Sequence, residues 1–388
     1  MATSSLGVCL GGLLGIAAVL SSLPTFLAEF RPHVVETQLL WEPQVVGDVA
    51  AFRIPVAARL PNGTLVALAE ARKFSSGDYG AKFLALRMSH PDKFNGDGAG
   101  DLWTPTQFIV DDFQAKDGLN LGAVIVDEVK NTLIVLYTVC AHTACPERDY
   151  VRSNYMLRSR DWGLTWERPV DISSNNAALK NLSWSAGPGY GIQKKYAPYK
   201  DRLIACGHTN DLNILSMFCI VSDDHGDTWA KAGVVYHIPY RSPLGPGDFA
   251  PTEVQIVELY NGTVLFNVRN ERRYHCSCRI VMSSDDGANT IPVETIRFNP
   301  TLIDPVCAGS ILLHGSRLYF TNPANEAHRQ NLTLRWSADW GDSWVGALVV
   351  DPGTSEYSCL TAIDDNHVGI VYEQGLAGVW FIKVKLNS

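Results

Sequence analysis

A chain of 388 residues with 46% hydrophobic and 19% charged residues can bury one large core or divide into two or three domains, so length alone leaves the organisation open. The formal charge of −8, with no cluster among the 32 Lys and Arg residues to supply a positive stripe, argues against a nucleic-acid partner.

The first element is "LGVCLGGLLGIAAVLSSL", Leu6 to Leu23, 18 residues without a charge. It reads as a secretory signal peptide spanning residues 1–28 and cleaved between Ser21 and Ala28, although its n-region has no Lys or Arg. A signal anchor is the alternative, since a run of this length can just cross a bilayer; the interrupting Gly and Ala residues favour cleavage. The remainder, 29–388, is expected to form a single domain.

Cleavage leaves eight cysteines, Cys140, Cys145, Cys206, Cys219, Cys276, Cys278, Cys307 and Cys359, a number compatible with an oxidising compartment. Neighbours in sequence are the expected bridges; buried free thiols are the alternative. Asn-x-Ser/Thr sequons start at Asn62, Asn181, Asn261 and Asn331. Asn62 and Asn261 also open Asn-Gly turns, which hairpin geometry explains by itself, so Asn181 is the clearest glycan candidate.

A turn followed by an apolar strand then recurs from Asn62, Asn131, Asp201, Asn261, Ser316 and Asn366, at intervals of 69, 70, 60, 55 and 50 residues. A second element keeps step with it. "SRDWGLTW" at Ser159 returns as "SDDHGDTW" at Ser222 and "SADWGDSW" at Ser337, the last two each 19 residues after the leucine of the preceding strand. A degenerate copy, "SSDDGANT", is read from Ser283. The copy at Ser159 trails its strand by 26 residues, with a longer loop around Cys140 to Val151, and an insertion opens the first copy ahead of Trp103.

No long helical period separates these elements, so each unit is read as four strands, and six units give an all-β, six-bladed β-propeller. The segment from Thr37 to Trp41 is expected to pair into the last blade and close the ring. The octapeptide itself is scaffold: Gly163, Gly226 and Gly341 supply positive φ, Asp161, Asp224 and Asp339 accept turn hydrogen bonds, and the tryptophan packs into the sheet. Calcium binding is not expected, because EF-hand spacing and its terminal glutamate are missing.

Chemistry is then sought on inner strands and loops at one mouth of the channel. The candidates are "AFRIP" with Arg53, "EARKFSSGDYGAK" with Glu70, Arg72 and Asp78, "PTEVQIVEL" with Glu253, "NVRN" with Arg269, "HRQNLTLRWS" with Arg329, "SEYSCL" with Tyr357, and "VYEQG" with Glu373. Arg72 lies ten residues after Asn62 and Arg269 eight after Asn261, so unbulged strands put both on one face, where they call for an anionic partner. "YHCSCR", Tyr274 to Arg279, does not complete a tetrahedral metal set, and no cofactor is expected.

Phe-Arg-Ile-Pro followed by repeated Asp-boxes resembles the sialidase (neuraminidase) superfamily, and "TQLLW", "GAKFLALR", "DGLNLGAV" and "NLTLRWS" resemble its animal lysosomal branch. The resemblance covers roughly Gln38 to Gly375. It implies an arginine trio, Arg53, Arg269 and Arg329, that receives the substrate carboxylate, with Arg335 as a rival for the third place. It implies Tyr357 as nucleophile, chosen because a carboxylate would be repelled by the substrate's own charge, and Glu253 as its base in preference to Glu258. Asp78 is the implied acid/base, Glu373 the support of Arg53, and Glu70 and Arg72 the lining near Asp78.

The function so implied is an exo-α-sialidase acting on glycoproteins, oligosaccharides and gangliosides in the lysosome lumen, reached by the secretory pathway, with lysosomal or plasma membrane association as a variant. The resemblance also implies a protective carboxypeptidase partner of the cathepsin A type and self-association into a homo-oligomer. The C-terminal "KVKLNS" departs from the lysosomal branch and leaves targeting through that tail open; no lectin domain of the trans-sialidase kind is expected after Ser388. The alternative is a sialic-acid-binding propeller lectin, which needs the arginines but has no use for Tyr357, Glu253 and Asp78 together.

Overall fold

A blade covered on both sides by its neighbours shows middle strands as continuous apolar runs rather than as alternation. Leu65–Arg72, LVALAEAR, is such a run: all eight residues are buried, and alanine at every second place permits close approach of the next sheet. The computed structural model, which describes residues 30–90, 102–113, 118–139, 153–174, 176–180, 184–209, 215–236, 249–375 and 378–386, is an all-β ring of six sheets.

In chain order, β1 (His33–Trp41) precedes the first sheet, which runs β2 (Ala51–Arg59), β3 (Leu65–Arg72), β4 (Lys82–Met88) and β5 (Gln107–Asp111). The second contains β6 (Leu119–Asp127), β7 (Thr132–Val139), β8 (Ser153–Ser159) and β9 (Val170–Asp171). Next come the short β10 (Trp184–Ala186), β11 (Gly189–Tyr190) and β12 (Ile192–Gln193), then β13 (Leu203–Thr209), β14 (Ser216–Ser222) and β15 (Ala230–Tyr236) of the third. The fourth holds β16 (Pro251–Glu258), β17 (Val264–Asn270), β18 (Cys278–Ser284) and β19 (Arg297–Ile303). The fifth holds β20 (Ser310–His314), β21 (Arg317–Pro323), β22 (Gln330–Ser337) and β23 (Gly346–Thr354), and the sixth β24 (Ser358–Asp364), β25 (His367–Glu373) and β26 (Val379–Lys385).

The expected closure is present: β1 pairs antiparallel with β26, Thr37 opposite Ile382 and Trp41 opposite Val379, as the outermost strand of the last sheet. The repeat of four strands holds in four sheets and is altered in two. β10 and β12 pair with opposite ends of β13, while β11 between them pairs in parallel with Ala123 and Val124 of β6, so one inner strand is shared by two blades.

Because the inner strands all start at one end of the channel, first-strand entries and second-to-third-strand turns open on one mouth. The signature turns, which join third to fourth strands, lie on the other. In "SRDWGLTW", Ser159 Oγ donates to Asp161 Oδ1 at 2.7 Å and accepts from Gly163 N at 2.7 Å, while Asp161 Oδ1 accepts from Thr165 N at 2.8 Å. The turns at Ser222 and Ser337 repeat this pattern. Trp162 and Gly163 both take positive φ, 61° and 97°, as glycine at the second place allows.

The degenerate copy sits one residue later than the sequence pattern placed it. Ser284, not Ser283, donates to Asp286, and Ala288 occupies the usual glycine place at φ 65°. Gly287 falls at the preceding position, which pulled the sequence alignment out of register.

Cys206 bonds Cys219 across β13 and β14, and Cys276 bonds Cys278, whereas Cys307 and Cys359 are buried free thiols. Asn62 and Asn261 are exposed in hairpin turns, and Asn331 donates its amide to Ala324 O at 3.3 Å. The leader, Asn181, Cys140, Cys145 and the insertion ahead of Trp103 lie outside the described residues.

Hydrogen bonds, first from the Thr165 side chain, hold Asp161 at about 2, and Ser343 does the same for Asp339. A depressed carboxylate stabilises the fold above its ordinary value of 3.8, and this is lost as the pH falls toward 2. Asp161→Ala is therefore expected to lower the thermal midpoint by a few degrees at pH 7, and the gap from wild type to shrink in scans below pH 4.

Candidate active site

Two inner strands are bulged beside charged residues singled out from the sequence. In β2 the register slips between Arg53 and Val56 and in β16 between Pro251 and Val254, whereas β22, which follows Arg329, is regular against β21 and the extra residues opposite it belong to β23. The first is strained: Ile54 has φ 55°, unusual for a β-branched residue and more so before proline. Glu373 supports it by accepting from Ile54 N at 2.5 Å with one oxygen and from Arg53 Nε at 2.7 Å with the other.

Glu373 is fully buried; burial pushes its carboxyl up, and the Arg53 charge only partly offsets this. Arg53 also donates through Nη2 to Glu356 Oε2 at 2.8 Å, and that same oxygen accepts from Arg329 Nη1 at 2.8 Å. The guanidinium carbons of Arg53 and Arg329 lie 6.0 and 5.6 Å from the centroid of the Tyr357 ring.

Tyr357, just ahead of β24, donates its hydroxyl to Glu253 Oε1 in a short hydrogen bond. Arg269 Nη1 spans the pair, 2.8 Å from Glu253 Oε2 and 3.1 Å from the phenol oxygen. Burial, reinforced by the Glu253 charge, pushes the phenol well above its ordinary value. Burial would raise Glu253 as well, but the charges of Arg269 and His208 and the Tyr357 hydrogen bond outweigh it and leave the carboxyl below the ordinary 4.5. The resting pair is thus a neutral phenol against a carboxylate, a nucleophile already bonded to its base.

The trio is brought together, with Tyr357 between. Glu258, the rival of Glu253, sits at the other end of β16 on Lys194, 2.6 Å away. Arg335 lies six residues along β22 from Arg329 and opposite Phe320 in register, within the sheet rather than at the mouth.

Asp78 stands on the β3–β4 loop with its side chain 60% exposed, 2.9 Å from Arg72 Nη1. Arg72 is gripped by Glu70 Oε2 at 2.9 and 3.0 Å, and both side chains are buried beside Asp78. Lys82, also buried, donates to Asp78 O at 2.7 Å and fixes the backbone of the loop.

Sequence reasoning missed Glu356, Lys82 and Glu271. Glu271 Oε2 is 2.8 Å from Arg269 Nε. Glu356 adjoins Tyr357, Glu271 lies two residues after Arg269 and Lys82 four after Asp78, and that proximity is the only signal the sequence carries for them.

Glu373→Gln would leave Arg53 short of its buried counter-charge. Destabilisation of about 3 kcal/mol is expected, read by urea unfolding of the two proteins side by side.

A family profile described as a BNR repeat-like domain matches residues 63–371. A sialidase of Micromonospora viridifaciens is 29% identical over 84% of this chain and 50% of its own length. A sialidase of Bacteroides fragilis is 26% identical over 87% of this chain and 63% of its own. Among solved structures, Hadza microbial sialidase Hz136 superposes with a TM-score of 0.73 at 27% identity, covering 87% of this chain and 66% of that one. The chain therefore spans between half and two thirds of the length of these relatives. With the profile running from the β2–β3 turn into β25 of the last sheet, this chain belongs to the sialidase superfamily.

Proposed function

We propose that the protein is an exo-α-sialidase that removes terminal sialic acid with retention of configuration, using Tyr357 as nucleophile. The observation that carries this reading is the hydrogen bond from Tyr357 to Glu253 with Arg269 on both groups, inside a mouth that also holds Arg53 and Arg329. A lectin needs the guanidiniums but gains nothing from a buried phenol bonded to a carboxylate.

In the proposed sequence the trio receives the sugar carboxylate and places the anomeric carbon over Tyr357. As the glycosidic bond breaks, Asp78 gives its proton to the leaving oxygen, the phenol proton passes to Glu253, and Oη bonds to the anomeric carbon. Asp78, now a carboxylate, takes a proton from water; the resulting hydroxide attacks the same carbon, the bond to Oη breaks, and Glu253 returns the proton to the phenolate. A neutral phenol approaches this carbon without the charge repulsion a carboxylate would meet.

The substrates proposed are sialylated glycoproteins, oligosaccharides and gangliosides. The N-terminal apolar segment and the likeness to the lysosomal branch support a lysosomal location, a carboxypeptidase partner and self-association, each a proposal from sequence.

Hydrolysis of 4-methylumbelliferyl and lactosyl α-sialosides by wild type, Tyr357→Phe and Asp78→Asn tests the roles. Tyr357→Phe is expected to lose roughly 10³-fold or more in kcat on both substrates. Asp78→Asn should lose roughly 10²–10⁴-fold on the sugar leaving group and much less on the acidic methylumbelliferone, which departs without a proton. Unchanged rates in Tyr357→Phe overturn the mechanism.

A second expectation follows from Glu253. The base must be ionised, and its carboxyl is held below 4.5, so kcat/KM should persist below pH 4.5 and fall as the pH drops past the lowered value. Arg269→Lys, which gives up the two-point contact, should move that acid limb upward in a pH–rate profile.

A further inference from the structure

Two carboxylates take the rear nitrogens of the trio: Glu373 is on Nε of Arg53 and Glu271 on Nε of Arg269. Glu356 differs. It takes terminal nitrogens, Nη2 of Arg53 and Nη1 of Arg329, with a single oxygen at 2.8 Å from each. Terminal nitrogens are the ones that a guanidinium turns toward an incoming carboxylate.

Charge leads to the same residue. Among the described residues the three guanidiniums make ion pairs with four carboxylates, Glu373, Glu356, Glu253 and Glu271. The group carries more negative than positive charge before an anionic ligand arrives. A carboxylate-bearing sugar would add a fifth to a partly desolvated cluster unless one withdraws.

Glu373 cannot withdraw, being fully buried and bonded to Ile54 and Arg53, Glu253 is bound to Tyr357, and Glu271 sits on the rear Nε of Arg269, so that its departure would free no terminal nitrogen. The side chain of Glu356 is 22% exposed, and among the described residues its hydrogen bonds and ion pairs go to the two guanidiniums, while its backbone N–H is held on Glu373 O at 2.9 Å. Rotation of one side chain toward solvent frees both arginines without moving Tyr357.

We propose that Glu356 is a built-in competitor for the carboxylate subsite: it satisfies Arg53 and Arg329 in the empty site and must rotate away for the carboxylate of the substrate to bind. This rests on the sialidase reading above. Apparent affinity is then the intrinsic affinity reduced by the fraction of molecules in which Glu356 is off the arginines. Glu356 thereby tunes the affinity for anionic sugars and keeps the guanidiniums compensated between turnovers.

The test is calorimetric titration of wild type, Glu356→Ala and Glu356→Gln with 2-deoxy-2,3-didehydro-N-acetylneuraminic acid, alongside KM for the methylumbelliferyl sialoside. Both variants are expected to bind about tenfold tighter than wild type, with KM lowered in parallel. The near-isosteric glutamine keeps the comparison available should the alanine variant unfold, as thermal scans would reveal. Binding equal to or weaker than wild type in Glu356→Gln overturns the proposal and makes Glu356 a positioning residue like Glu373. Failure of wild type to bind or hydrolyse either compound overturns the sialidase reading, and this inference with it.

Discussion

The ion pair between Arg53 and Glu373 spans the seam where the first and last blades meet, joining residues 320 apart in the chain. Glu373 also carries the strained Ile54, so one buried carboxylate fixes both the side chain and the backbone of the first inner strand. It is stable as a charge only while Arg53 lies against it, since burial alone pushes its carboxyl up. Arg53, on β2, reaches Glu373 at the end of β25 only where the first and last sheets pack against each other and the ring is closed. Closure of the fold and construction of the anion-binding mouth are in this sense one event.

The chemistry depends on keeping two adjacent titratable groups in different states. Tyr357 is buried and Glu253 largely so, and desolvation by itself would hold both neutral. Arg269 breaks the symmetry: its charge lies on both, but the carboxyl, with the lower intrinsic pKa, is the one it holds ionised. The phenol keeps its proton and has an acceptor already in place. On the β3–β4 loop, Asp78 is exposed at the end of a chain of buried partners, Glu70, Arg72 and Lys82, that fixes its position while leaving its side chain open to water.

Strand alternation read parts of this correctly. It placed Arg72 and Arg269 on the side of the site, since neither β3 nor β17 is bulged against its third strand. It chose nothing for Arg53 and Glu253, which sit at bulges of β2 and β16, or for Arg329, which lies just ahead of β22. Glu356 escaped for a related reason: residues 355–357 lie outside any strand, so neighbours that alternation would send to opposite faces both turn toward the arginines.

What the sequence by itself determined is the periodic part of the molecule. Six turn-and-strand units and the signature turns at Ser159, Ser222 and Ser337 follow from short-range patterns that recur, because each blade solves the same local problem, and the edge left open in the last blade called for the first strand to cover it. Only the tertiary structure decided the rest: the Ser284 register of the fourth turn, the inner strand shared between blades, and the bridge from Glu356 to Arg53 and Arg329. These depend on bulges and on contacts across blade seams, where residues some 300 positions apart meet and the electrostatic cost of burial selects the partner.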